Sequence, residues 1–157
     1  MAGRLESINA SRGGVPKRSM FEALITVAGV DGDRQHDLRF HGGPVRAIAL
    51  FSLDVIRALQ REGHPIAAGT TGENLTVSGL DWAAIVPGTD LAIGELRLRI
   101  TDYTSPCARI GFSFLDDDST RISQKRYPSW SRLSARVLSG GVVSIGDAVE
   151  EVRREGA

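Results

Sequence analysis

At 157 residues, the chain is long enough for one hydrophobic core to remove roughly two thirds of the unfolded surface from water, so no disulfide or metal staple is needed. A composition of 41% hydrophobic and 24% charged residues excludes the disordered, collagenous and cysteine-framework classes. Nineteen basic residues balance nineteen acidic ones, so no long-range field gathers nucleic acid or an anionic membrane surface. Residues 1–15 lack the apolar core of a signal peptide, and no run approaches the roughly 20 apolar residues of a membrane span. The expectation is one cytoplasmic domain over residues 1–157, with no nucleic-acid or membrane partner.

Eighteen glycines punctuate short aliphatic runs at intervals that suit a compact barrel rather than helices alternating with strands. Strands are predicted over Leu24–Val27, Val45–Phe51, Leu75–Val77, Asp90–Ile93, Leu96–Asp102, Ala135–Leu138 and Ala148–Val152. Leu96, Leu98 and Ile100 alternate with Arg97 and Arg99, giving one buried and one solvated face. After the strand at Val45, Ser52 is placed to cap a helix running through Val55, Ile56 and Leu59 to Arg61, and Gly63 to end it. A second helix is predicted over Ser119–Arg126, capped by Ser119, with Pro128 beyond its end. Asp116, Asp117 and Asp118 would complement its N-terminal dipole; consecutive carboxylates converge poorly on one ion, so this run reads as solvated. The stretch Val86–Ile93 is echoed by Val143–Glu150, each a glycine turn feeding a strand.

Four clusters join polar side chains to Gly or Pro at strand ends: Asp31–Asp37, His41–Ala47, Gly72–Val77 and Ser105–Ile110. Loops on a rigid scaffold are where function usually sits. Cys107 follows Pro106, which cannot extend a ladder, so the thiol belongs in a loop. Arg109 two residues on favours a thiolate, the form that is both nucleophile and soft metal ligand. Against this stands the general tendency of a free cysteine to serve as a small buried hydrophobe.

His41 is a candidate metal ligand or general base, and a base–nucleophile pair with Cys107 is the further alternative. Beside Gly42 and Gly43 it is equally a turn residue. The spacing of His36 and His41 and the single cysteine leave no set of four zinc ligands. Asn74 offers both donor and acceptor to a heterocycle, or else bonds nearby backbone in a turn. Arg34, Arg46, Lys17 and Arg18 suit a phosphate, although isolated basic residues are usually solvated. Gly13-Gly14 lacks the spacing of a phosphate-binding Walker loop.

Taken together, Gly13–Lys17, Gly32–Gln35, His41–Ala47, Gly72–Leu75, Pro106-Cys107 and Gly146-Asp147 resemble, in order and over nearly the whole chain, the MOSC domain, named for the C-terminal part of molybdenum cofactor sulfurase. The resemblance implies a mainly β, barrel-like fold with a few short helices and a pocket for molybdenum cofactor. It implies that Cys107 is a thiolate ligand to molybdenum or a persulfide carrier, and that Ser105 and Asn74 contact the cofactor with Glu73 beside them. His41 and Arg34 would line the pocket or hold the pterin phosphate, with Arg46 close by. Two activities follow: reduction of small N-hydroxylated or N-oxide compounds, or sulfur or cofactor delivery. No pyridoxal phosphate site is expected, so a separate cysteine desulfurase would load Cys107, or a separate electron-transfer protein would supply electrons.

Overall fold

The computed structural model describes residues 3–11, 18–31 and 44–153. Within them the strands are β1 (Gly3–Ala10), β2 (Arg18–Met20), β3 (Glu22–Thr26), β4 (Gly29–Val30), β5 (Ile48–Ser52), β6 (Leu75–Ser78), β7 (Asp90–Ile93), β8 (Leu96–Thr104), β9 (Arg132–Ser139), β10 (Gly141–Ser144) and β11 (Ala148–Val152), with α1 at Leu53–Arg61. The order β11-β7-β8-β9-β5-β6-β1 closes through a β1–β11 pairing into a seven-strand barrel, and β2 extends outward from β1. A second sheet runs β10-β3-β4. The expected mainly β, barrel-like architecture is what the chain adopts. Closure pairs the strand edges that an open sheet would expose.

The barrel follows from alternation. Leu96, Leu98 and Ile100 of β8 point into the core, while Arg99 stays outside and pairs with Asp90, its register partner on β7, through two bonds of 2.8 and 3.0 Å. Leu5, Ile8, Leu50, Leu75, Leu91, Ile93 and Leu133 from the other strands are buried with them. The β5–β6 pair is parallel, so the chain must cross over, and α1 makes that crossing. Ser52 caps α1 by accepting the Val55 N–H at 3.2 Å, and Ile56 and Leu59 face inward. Gly88 and Gly146 hold φ of 97° and 96° at the two echoed turns, and the strands they feed, β7 and β11, pair with each other. Among the described residues no helix is long and apolar enough to cross a membrane.

Four strands, β1, β2, β4 and β10, lie outside the predicted set. In β1 a register shift between Leu5 and Ser7 leaves Ser7, Ile8 and Asn9 all buried, which erases the alternation. The predicted strand from Val45 begins at Ile48, because Pro44–Arg46 form a 3-10 turn. The second predicted helix is corrected to a 3-10 turn over Ser119–Ile122, capped by Asp118, which accepts the Thr120 N–H at 3.0 Å. Ser119 spends its hydroxyl elsewhere, and Ser123 is extended (φ −77°, ψ 126°), so the helix cannot continue to Arg126.

Candidate functional site

Strand β8 ends at Thr104, directly opposite Arg132, the first residue of β9. Ser105, Pro106 and Cys107 then leave the ladder, and Cys107 immediately precedes a 3-10 segment, Ala108–Ser113. Its thiol is free and its side chain half-buried. The Cys107 carbonyl accepts the Ser119 hydroxyl at 3.0 Å and the Ile110 N–H at 3.3 Å.

The cation of this region is Arg132, which is 4% exposed. Its Nη1 donates to the Thr71 carbonyl at 2.6 Å and its Nη2 to the Ser105 carbonyl at 3.0 Å. Among the described residues its buried Nε has no partner. Burial pushes the guanidinium below its ordinary value, while the charges of Glu73 and then of Cys107 act in the opposite direction. Arg109, the nearer arginine in sequence, is exposed. Nothing local marks Arg132 as special. With Ser134 and Arg136 it alternates against Leu133, Ala135 and Val137, the pattern of an ordinary solvated strand face, and only its place opposite Thr104 turns it inward.

Glu73 is completely buried. Its carboxylate accepts the Thr71 hydroxyl at 2.7 Å, the Thr76 hydroxyl at 3.0 Å and the Gly69 N–H at 3.0 Å. From Thr76 the polar contacts continue to Asn9 Nδ2 at 3.1 Å, and Asn9 Oδ1 accepts the Ser7 hydroxyl at 2.6 Å. A buried polar seam therefore runs from β1 through Glu73 and Thr71 to Arg132 and the Cys107 loop. Such a seam is tolerable in a core because its members satisfy one another.

The predicted site residues separate into groups. Glu73 and the Cys107 loop both reach Arg132, the first through Thr71 and the second through the carbonyl of exposed Ser105. Asn74 is buried and accepts the Ala49 N–H at 2.8 Å through Oδ1, with Nδ2 3.5 Å from the Asn9 carbonyl, so it laces β5, β6 and β1 together. Arg46 reaches Asp102 at 3.1 Å on the half-exposed surface. Arg34 and His41, like His36 and Lys17, lie outside the described residues, as does the side chain of Arg18. His64 accepts the Leu115 N–H at 3.1 Å and lies against Glu62.

Among the described residues no three His, Cys, Asp or Glu side chains could hold a metal together. The donor set fits a different kind of group. One half-buried free thiol, on a loop held by a buried guanidinium with an unpartnered Nε, suits an anionic cofactor that brings most of its own metal ligands and needs one soft donor from the protein.

The site is thus a seven-strand barrel with the chain's single cysteine on the loop leaving one of its strands. The MOSC domain model matches residues 37–150, and the chain belongs to that family, which is known for proteins related to molybdenum cofactor. The chain is similar to protein YiiM of Escherichia coli (strain K12), 28% identical over 107 residues, covering 66% of this chain and 48% of YiiM. It is also similar to protein YflK of Bacillus subtilis (strain 168), 27% identical over 144 residues, covering 90% of this chain and 64% of YflK. It thus spans about half of one curated relative and under two thirds of the other. Among solved structures, the YUAD protein from Bacillus subtilis superposes with a TM-score of 0.78 at 18% identity over 98% of both chains.

Proposed function

We propose that this protein binds molybdenum cofactor, with Cys107 as the thiolate ligand, and reduces small N-hydroxylated or N-oxide compounds. The observation that carries the reading is a half-buried free thiol on a loop whose Ser105 carbonyl is held by the buried, incompletely bonded Arg132 guanidinium. When bound, the cofactor supplies two-electron oxygen-atom transfer; each N–OH reduced to N–H takes up two electrons and two protons and releases water. A separate electron-transfer protein provides the electrons. In this reading Ser105 flanks the cofactor, and Glu73 and Asn74 are assigned to its pocket, as the family resemblance implies. Arg34, Arg46 and His41 are assigned to its phosphate and pocket, as the family resemblance implies. A cytoplasmic setting would keep the thiol reduced.

Protein made in a host that synthesises the cofactor tests this. Wild type should carry molybdenum and N-hydroxylated substrates should be reduced, and Cys107→Ser should lose both. Wild type without molybdenum would sink the reading. The second reading, a persulfide carrier, draws on the accessibility of the loop, where Ser105, Ala108 and Arg109 around Cys107 are exposed to a partner. A persulfide on Cys107 after incubation with a cysteine desulfurase, in protein lacking molybdenum, would establish it.

A further inference from the structure

The main chain before and at Cys107 is gripped by two buried side chains. Arg132 donates to the Ser105 carbonyl at 3.0 Å, and Ser119 donates to the carbonyl of Cys107 itself at 3.0 Å. Arg132 is 4% and Ser119 8% exposed, so neither side chain has water as an equal alternative partner. Regular structure requires neither bond. Ser105 has already left the β8–β9 ladder, whose last register pair is Thr104 with Arg132. Ser119 opens a 3-10 turn that Asp118 caps. The second arm of Arg132, on the Thr71 carbonyl, ties the Cys107 loop to the loop that delivers Glu73. A carbonyl held by a charged donor makes the stronger kind of hydrogen bond, and two anchors two residues apart leave the intervening backbone little rotational freedom.

We propose that Arg132 and Ser119 are positioning residues for Cys107, fixing the backbone before and at the cysteine so that the thiol projects in one direction. This rests on the reading of Cys107 as the working residue of the site. Chemistry at a single donor atom depends on the supporting groups that hold it in place. Residues 105–107 are an excursion between a strand and a 3-10 turn, and without the two bonds they would take on the freedom of an ordinary surface loop.

The test uses the intact chain carrying Ser119→Ala, Ser119→Thr or Arg132→Met. Cys107 is the only cysteine, so iodoacetamide labelling of cofactor-free protein reports on it alone. The rate is read at a pH high enough to ionise the thiol fully in every variant, so that it reflects access and orientation rather than protonation. Ser119→Ala and Arg132→Met should be labelled severalfold faster than wild type, and Ser119→Thr, which keeps the hydroxyl, should return to the wild-type rate. In protein from a cofactor-competent host, the first two should retain molybdenum about tenfold less well, again with rescue by Ser119→Thr.

If Arg132→Met does not fold, the Ser119→Ala and Ser119→Thr pair decides. A folded Ser119→Ala labelled at the wild-type rate overturns the proposal even if wild type binds molybdenum. Faster labelling rescued by threonine, in a protein that never binds molybdenum, upholds the clamp and overturns the cofactor reading.

Discussion

Arg132 and Glu73 are joined through one residue: the guanidinium donates to the Thr71 carbonyl at 2.6 Å, and the Thr71 hydroxyl donates to the Glu73 carboxylate at 2.7 Å. Both charges are buried, and each offsets a desolvation cost that neither could bear alone. Glu73→Gln removes the countercharge and replaces one of two acceptor oxygens with a donor amide, facing Thr71, Thr76 and Gly69, which all donate to it. The expected loss is about 3–5 kcal/mol, read as a lower urea midpoint at unchanged slope. A loss near zero would show that Arg132 does not depend on Glu73.

Asn74 contributes by lacing three strands. Its Oδ1 takes the Ala49 N–H, and its own N–H and C=O pair with Ala49 and Asn9 at 2.8 and 2.7 Å. Asn74→Ala removes the side-chain acceptor of the part-buried Ala49 N–H and should cost about 1–2 kcal/mol. Measuring molybdenum content on the same variant separates stability from binding. Full occupancy in a destabilised protein would make Asn74 purely structural, and empty protein of wild-type stability would make it a cofactor contact.

Where alternation was uninterrupted, the sequence was readable. The Leu96–Ile100 face of β8 and the Ser52-capped helix have unambiguous periods and caps, and both stand where the residues put them. Strand β1 was opaque because its register shift buries consecutive residues, two of them polar. At the candidate site, Cys107 and Glu73 were legible as candidates beside Pro or Gly. Their link was not, since Arg132 lies 25 and 59 positions from them in the numbering, on what reads as a solvated strand face. Only the closed strand order, with β9 between β5 and β8, brings it to both loops.

Gly29 sits at φ +116°, and an added Cβ would lie 2.6 Å from the Ala47 carbonyl oxygen, where backbone cannot yield cheaply. Gly63, at φ +100°, would meet nothing closer than the Leu115 side chain at 3.6 Å. Gly63→Ala therefore carries conformational strain alone, about 1 kcal/mol, whereas Gly29→Ala adds a steric clash and should exceed it by about 1–3 kcal/mol. Thermal unfolding of the two variants checks the order. Equal losses would mean that the β3–β4 turn relaxes away from Ala47.

Acid should loosen the segment that follows the Cys107 loop through Glu62. Its carboxylate accepts Arg121 Nε at 2.9 Å and Nη2 at 2.8 Å, and the same guanidinium lies 4.4 Å over Tyr127 and 4.1 Å over Trp130. The hydrogen bonds from Arg121, with smaller help from its charge and from His64, outweigh burial and hold Glu62 below the ordinary 4.5. A carboxylate whose folded value is depressed gives stability that is fully present above its unfolded value and disappears as pH falls through the folded one. The melting temperature of wild type should therefore fall more steeply than that of Glu62→Gln as pH drops below 4.5, and the two should differ by a constant amount near neutrality. Because the Glu62 side chain is 40% exposed, the effect should be small and should shrink in high salt, as screened surface pairs do. Parallel acid limbs for the two proteins would show that the Arg121 stack on Tyr127 and Trp130 holds this segment without Glu62.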